Sequence, residues 1–293
     1  MRRHFAIAKA TALEMMSEPL SLLVLMSGML VSILSPAFHY HQFGEPTRMA
    51  RDAGLSSVLL ATSVFAVFGV IRSFRREMET GTASVAVAIS VSRVGFFLAK
   101  TLGGFLASAV FFLAIFANAL TVVNGARIGG EISAETGALA RIWGPSLCLA
   151  LATAVLPGVI AAALNRFLRM RFCLTAFVLS VVLACASVVY RFDADLFVRL
   201  FPVYLVAASV PAVLVSAAAV GGALMRANAA GSFVGVVALV LVPFAGNHCL
   251  SDSLSDGGSA DAFVVLVALA SAVFACLGFA VYGAAAMRER DLS

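Results

Sequence analysis

Eight long stretches of the chain contain no Asp, Glu, Lys or Arg, and this feature restricts the possible folds more than any other. A helix rises about 1.5 Å per residue, so roughly 20 apolar residues cross the roughly 30 Å hydrocarbon core of a bilayer. A helix also satisfies its own backbone hydrogen bonds in lipid. The sequence therefore predicts an all-α integral membrane protein, a polytopic helix bundle of about eight transmembrane helices. The predicted spans are residues 20–38, 53–71, 101–124, 142–164, 172–190, 201–225, 230–247 and 263–287.

The composition of the chain agrees with this class. Hydrophobic residues make up 62% of the 293 positions and charged residues only 12%, and the mean hydropathy is +1.03. A soluble domain of this size cannot bury so much apolar surface, so lipid has to act as its solvent.

The distribution of basic residues predicts the topology. With eight spans and a cytoplasmic N-terminus, 14 of the 20 Lys and Arg residues fall on the cytoplasmic side, as the positive-inside rule requires. Both termini are then cytoplasmic. Residues 72–100 are expected to be cytoplasmic or interfacial, because a ninth span there would place Arg93 in lipid. The same bias explains the basic isoelectric point without nucleic acid as a partner.

The N-terminal residues 1–19 precede the predicted transmembrane region 20–293 and have a helical pattern of their own. Phe5, Ala8, Ala12, Leu13 and Met16 recur at helical spacing. This pattern predicts an amphipathic helix in the inner membrane interface. An ordinary cytoplasmic tail is the alternative.

Motifs for catalysis and nucleotide binding are missing from the sequence. The chain has no G-x-x-x-x-G-K-[S/T] loop, no G-x-S-x-G elbow, no H-E-x-x-H pair and no C-x-x-C. It is therefore expected to be no enzyme and to hold no cofactor itself. Ion-coupled carriers normally need an ionisable residue within the membrane. The uncharged spans therefore disfavour a carrier of that kind.

A few polar residues, prolines and histidines remain as candidates. Amides such as Asn118 are expected to make hydrogen bonds between helices. Pro157 and Pro211 lie inside predicted spans, where each can serve as a hinge or simply as a packing kink. No metal site is expected. His39, His41 and His248 are weak candidate ligands at the outer face, because no ligand motif links them.

The segment between the second and third predicted spans carries the clearest functional signal. It runs IRSFRREMETGT over residues 71–82 and continues with Val-Ser-Arg at 91–93 and then Lys100. This segment resembles the ABC-2 family of ABC-transporter permeases, whose members have an E-x-x-x-G-T core followed by a P-V-S-R-like turn and a G-K. Ser90 and Ala99 stand where the family usually has proline and glycine. Weaker similarity, at residues 43–56, 165–172 and 288–292, extends over nearly the whole chain.

The resemblance implies a function and a set of partners. The chain would be the membrane subunit of an exporter in the bacterial inner membrane. It would form a homodimer, or a heterodimer with a related permease, and bind a separate ABC ATPase that carries ATP and Mg. The residues that would couple to the ATPase are Arg75, Arg76, Glu77, Glu79, Gly81, Thr82 and Arg93.

Two alternatives to transport coupling stay open. The charges at 72–79 can be a solvated run that caps a membrane helix, since both signs of charge are common at such ends. The whole chain can also be a membrane scaffold or assembly subunit without transport activity. The sequence does not indicate a substrate.

Overall fold

A computed structural model of the chain describes residues 2–34, 46–80, 92–136, 139–168, 171–190, 193–224 and 262–289. Within these ranges all regular secondary structure is α-helical. The helices are α1 (Arg2–Ser17), α2 (Pro19–Leu34), α3 (Pro46–Glu79), α4 (Arg93–Thr136), α5 (Leu139–Leu168), α6 (Phe172–Tyr190), α7 (Ala194–Leu224) and α8 (Ala262–Glu289).

Local sequence signals account for several helix starts. Pro19 and Pro46 are the first residues of α2 and α3. Proline has no backbone N–H, but at this position the N–H would have no hydrogen-bond partner within the helix, so no bond is lost. The Ser92 hydroxyl accepts a hydrogen bond from the Gly95 N–H at 3.0 Å ahead of α4. The Asp193 carboxylate accepts one from the Asp195 N–H at 3.0 Å ahead of α7. Both are N-caps of the usual kind.

The prediction of an α-helical membrane protein is confirmed in its class, whereas eight spans are not established. By length and composition, five of the described helices can cross a membrane, and a sixth span results if the bent pair α1 and α2 counts as one. The predicted span 230–247 lies outside the described residues. Residues Ala268–Val281 of α8 form a shorter apolar segment. The five long apolar stretches are Ala50–Glu77, Arg93–Ala126, Cys148–Phe167, Phe172–Tyr190 and Ala194–Gly222.

The chain divides into two compact units. The first unit comprises Met1–Met16, Thr62–Ala109 and Leu205–Ser293. The second comprises Ser17–Ala61 and Val110–Tyr204.

Hydrogen bonds between helices help to hold the second unit together. The Asn118 amide on α4 donates to the Thr153 hydroxyl on α5 at 2.8 Å. The hydroxyls of Thr121 on α4 and Ser187 on α6 lie 2.9 Å apart. Such contacts join helices where lipid gives no hydrophobic drive for association. The expected role of Asn118 in a contact between helices is confirmed.

Both candidate hinge prolines lie inside helices that continue past them. Pro157 is a buried residue of α5, and Pro211 is a buried residue of α7. A proline removes one backbone hydrogen bond from the helix around it. A hinge at either site stays a prediction.

In the first unit, α1 packs on α3 and α4 at their glycines. A Cβ atom placed on Gly103 of α4 would lie 2.5 Å from the Ala8 carbonyl oxygen, and one on Gly69 of α3 would lie 2.6 Å from the Met15 Cε atom. Only glycine permits backbone and side chains to approach this closely. Helix α1 therefore lies in a groove that the two glycines create.

The residues whose spacing predicted an amphipathic α1 divide between the groove and the surface. The buried residues of α1 are Ala8, Thr11, Ala12 and Met15, whereas the side chain of Phe5 is 63% exposed and Leu13 is also exposed. The groove holds small residues and one flexible methionine. Exposed apolar residues such as Phe5 and Leu13 are what an interfacial helix presents to lipid. An interfacial location for α1 stays a prediction.

Helix α3 is much longer than the predicted second span. Its 34 residues correspond to about 50 Å of helix, compared with a hydrocarbon core of roughly 30 Å. Residues 72–79, expected to belong to a separate coupling helix, are the last two turns of α3. The charged residues therefore lie on a continuation of an apolar helix, followed by a turn at Thr80.

Candidate functional site

The candidate coupling residues divide into an exposed set and an inward-facing residue at the end of α3. Arg75 is about half exposed, and the side chains of Arg76 and Glu79 are 64% and 60% exposed. The Glu77 side chain is only 24% exposed. Arg93 is the first residue of α4 and is partly buried. Gly81 and Thr82 lie outside the described residues.

The exposed set is organised by two ion pairs. The Arg75 Nε atom lies 2.6 Å from the Glu79 Oε1 atom, one helical turn away. The Arg76 Nη1 atom lies 3.2 Å from the Glu14 Oε1 atom of α1. Exposed pairs of this kind add only about 0.2–1 kcal/mol to stability because water screens them. They leave charges of both signs on the surface of this helix end.

The inward-facing Glu77 points towards Lys100 on α4. The Lys100 side chain is fully buried. The Nζ atom donates hydrogen bonds to the Ser73 carbonyl oxygen at 2.6 Å and to the Ser73 hydroxyl at 3.0 Å. It also lies 3.2 Å from the Glu77 Oε2 atom. The contact with Glu77 is an ion pair without the alignment of a hydrogen bond.

Aromatic rings enclose this cation. The Lys100 Nζ atom lies 4.7 Å from the centre of the Phe74 ring and 6.0 Å from that of Phe96, within the range of a cation–π attraction. The Phe74 and Phe97 rings pack with their centroids 5.9 Å apart. We call Lys100 with Ser73, Phe74, Glu77, Phe96 and Phe97 the Lys100 hub.

Helices α7 and α8 reach the same hub through glycines. A Cβ atom on Gly222 of α7 would lie 2.9 Å from the Cβ atom of Phe74. Gly283 of α8 packs directly on the Phe97 ring. Glycine backbone therefore packs on Phe74, which lies over Lys100, and on Phe97, which packs on Phe74.

The electrostatics of the hub explain why Glu77 turns inward. Moving an ammonium group out of water costs several kcal/mol unless an opposite charge and good hydrogen bonds compensate. Glu77 supplies the charge and Ser73 supplies the two hydrogen-bond acceptors. Arg76 and Glu14 form the neighbouring ion pair.

The role of Lys100 was not predicted from the sequence. The resemblance contained this residue, but its position just before the uncharged span 101–124 suggested an interfacial lysine. One signal was available, because Glu77 and Lys100 flank the segment on both sides and have opposite charge. Only the packing of α3 against α4 shows that the two side chains meet.

The second unit contains a small cavity whose lining is mostly apolar. It has a volume of about 20 Å³ and is lined in part by Thr121, Asn124 and Asp193. This is room for about one water molecule. The cavity is too small for an organic substrate.

No candidate metal centre occurs in the described part of the chain, where no group of three or more His, Cys, Asp or Glu side chains is arranged to hold an ion. His39, His41 and His248 lie outside it. In the same part the cysteines at 148, 173, 185 and 276 are free.

Comparisons of the chain with known protein families, with characterised proteins and with solved structures found no match. The similarity to ABC-2 permeases therefore depends on the residues quoted above. The function it implies is a prediction.

Proposed function

We propose that the chain is the membrane subunit of an ABC-2 type ABC transporter, an exporter driven by ATP hydrolysis on a separate ATPase chain. One observation supports this most directly: α3 continues without a break from its apolar stretch into an exposed, charged end. A soluble partner that pushes on this end acts on a membrane helix without an intervening loop.

The charge pattern of this end suits a protein partner. Arg75, Arg76 and Glu79 present both signs of charge within two helical turns. Mixed charge favours a specific protein surface, because complementary charges steer the partner and wrong pairings are penalised. In this proposal the α3 end is cytoplasmic, the chain works as a homodimer or a heterodimer with a related permease, and the ATPase holds ATP and Mg.

A membrane scaffold without transport activity is the second candidate, and one observation favours it. The exposed charges already have partners within the chain, Glu79 for Arg75 and Glu14 for Arg76. A helix end that is merely solvated would have the same pairs. A test therefore has to alter the charge pattern while it keeps the pairing.

Swapping the two residues of one ion pair achieves this. The double variant Arg75→Glu/Glu79→Arg keeps an i,i+4 pair and places the acidic residue first, the more favourable order in a helix. The full-length chain is purified from native membranes, and the associated P-loop ATPase is quantified by mass spectrometry. We expect the exchanged variant to lose at least about 90% of the ATPase, because each like-charge contact costs several kcal/mol.

Two results would decide against the proposal. One is an exchanged variant that retains ATPase at the wild-type level. The other is a wild-type chain that binds no P-loop ATPase. The scaffold predicts no change in ATP hydrolysis when the chain is reconstituted with such an ATPase.

A further inference from the structure

We infer that Lys100 is a positioning residue that fixes the charged end of α3 to the start of α4, and that Glu77 is its internal counter-ion and not part of the partner-binding surface. The consequence for transport rests on the proposed function. The contacts that define the positioning role do not.

The two partners of Lys100 on α3 lie on one face of that helix. Ser73 and Glu77 are one turn apart and both face the Lys100 ammonium, at 2.6 Å and 3.2 Å respectively. Arg75 and Glu79, also one turn apart, pair with each other at the surface. The last two turns of α3 therefore have an internal face and an external face, and Glu77 belongs to the internal one.

The lysine binds the backbone of α3 as well as its side chains. The Ser73 carbonyl oxygen also lies at the position that normally accepts the Glu77 N–H in the helix. A second, charged donor at 2.6 Å on the same oxygen fixes the helix axis itself. A contact to a flexible side chain alone would allow the end of α3 to tilt.

The hub links further helices of the first unit. Phe74 lies over the lysine and packs on Phe97, and Gly222 of α7 and Gly283 of α8 contact these two rings. Residues of four helices therefore meet in the Lys100 hub or at its rings. A displacement of the α3 end is transmitted to α4 and to the helices that pack on the two rings.

Stability alone does not account for a charge at this position. Replacing a buried ion pair with well-packed apolar residues is often neutral or stabilising. A methionine at position 100 could lie against Phe74 and Phe96 without the cost of removing a charge from water. What the ion pair adds is a fixed geometry between α3 and α4, and buried polar groups serve such specificity in some proteins.

The segment that resembles the ABC-2 motif has residues of this hub near both ends, Ser73, Phe74 and Glu77 in its first part and Lys100 as its last residue. It leaves α3 two residues after Glu77 and returns to the hub at Lys100. Force on the segment from a partner therefore reaches α3 and α4 together. Lys100 keeps the ends of these two helices in a fixed relative position.

The first test uses the purified full-length chain in nanodiscs of phosphatidylcholine and phosphatidylglycerol. Amide hydrogen exchange is measured by mass spectrometry over residues 72–79 and 93–100 in the variants Lys100→Met, Glu77→Gln and Glu77→Gln/Lys100→Met. The control is Glu79→Gln, which removes only an exposed ion pair. We expect exchange in both segments to rise at least about tenfold in Lys100→Met, because an unpaired buried charge and two lost hydrogen bonds loosen the helix ends.

The pattern across the variants separates positioning from simple stability. In the double variant the melting temperature should return most of the way to wild type, because no unpaired charge is left. Exchange at 93–100 should stay fast, because the bond to the Ser73 carbonyl is still missing. Unchanged exchange at 93–100 in both Lys100 variants, or equal effects in the Glu79→Gln control, would overturn the inference.

A second test adds the ATPase and a functional readout. In the wild-type complex we expect ATP and Mg to change exchange at 72–79 and 93–100 together. In Glu77→Gln/Lys100→Met the ATPase should still bind. On addition of ATP and Mg, however, hydrogen exchange should change only at residues 72–79. A response in both segments of this variant would refute the positioning role. If no ATPase binds the wild-type chain, the proposed function fails, and the first test still decides the role of Lys100.

Discussion

Adding one methyl group to Gly103 should release α1 from the rest of the first unit. A Cβ atom there would lie 2.5 Å from the Ala8 carbonyl oxygen and 2.8 Å from the Thr11 Cβ atom. The oxygen belongs to the backbone of α1, so a change of side-chain rotamer cannot relieve the clash. The helix has to move away as a whole.

The same substitution at Gly158 provides a matched control. Among the described residues, no atom outside the neighbouring backbone of α5 lies within 4 Å of a Cβ placed on Gly158. Gly158→Ala should therefore stabilise the protein by up to about 1 kcal/mol through helix propensity. Gly103→Ala gains the same propensity, but overpacking costs about 1–3 kcal/mol. We expect the two variants to differ by about 1–3 kcal/mol in unfolding free energy.

Thermal unfolding in detergent measures this difference. At roughly 2–4 °C per kcal/mol for a protein of this size, Gly103→Ala should melt several degrees below Gly158→Ala. Limited proteolysis should also cut near residues 1–19 faster in Gly103→Ala. A Gly103→Ala protein that melts at or above Gly158→Ala, with an equally protected N-terminus, would refute the packing of α1 in the glycine groove.

Two further predictions concern the second unit. Asn118→Leu and Thr153→Val should each destabilise the protein by about 0.6–1.7 kcal/mol. The effects should not add in the double variant, because the two residues share one hydrogen bond between helices. Additive losses of unfolding free energy in denaturation experiments would contradict this contact. Asp193→Ala should lower the free energy of unfolding by about 1 kcal/mol because it removes the N-cap of α7, whereas Asp193→Asn should lower it little. Equally fast amide hydrogen exchange in the first turn of α7 in both variants would contradict the cap.

The class of this fold was predictable because it depends on local composition. Stretches without charge and long enough to cross a bilayer leave helices as the solution, and five of the described helices meet that condition. The bounds were less predictable. The apolar stretch at 53–71 indicates where lipid can surround α3, but the helix itself continues to Glu79, since charged residues such as Arg and Glu form helix as readily as apolar ones.

The packing of α1 and the Lys100 hub could not be predicted from the sequence, because each depends on residues distant in the chain. Gly69 and Gly103 decide which face of α1 is buried, and neither lies near the residues of α1. Glu77 has the same charge and nearly the same position as Glu79. Only the rotation of α3 against α4 turns one carboxylate towards Lys100 and the other towards solvent.

A crosslink between the α3 end and its partner tests the central proposal most directly. The photoreactive residue p-benzoylphenylalanine is placed at position 79 of the full-length chain in native cells, and at position 189 as a control, because Val189 is an exposed residue of α6. After irradiation, crosslinked proteins are identified by mass spectrometry. The account predicts that position 79 captures a P-loop ATPase and that position 189 does not. An irradiated position 79 that captures no such ATPase, or captures it no better than position 189, would contradict it.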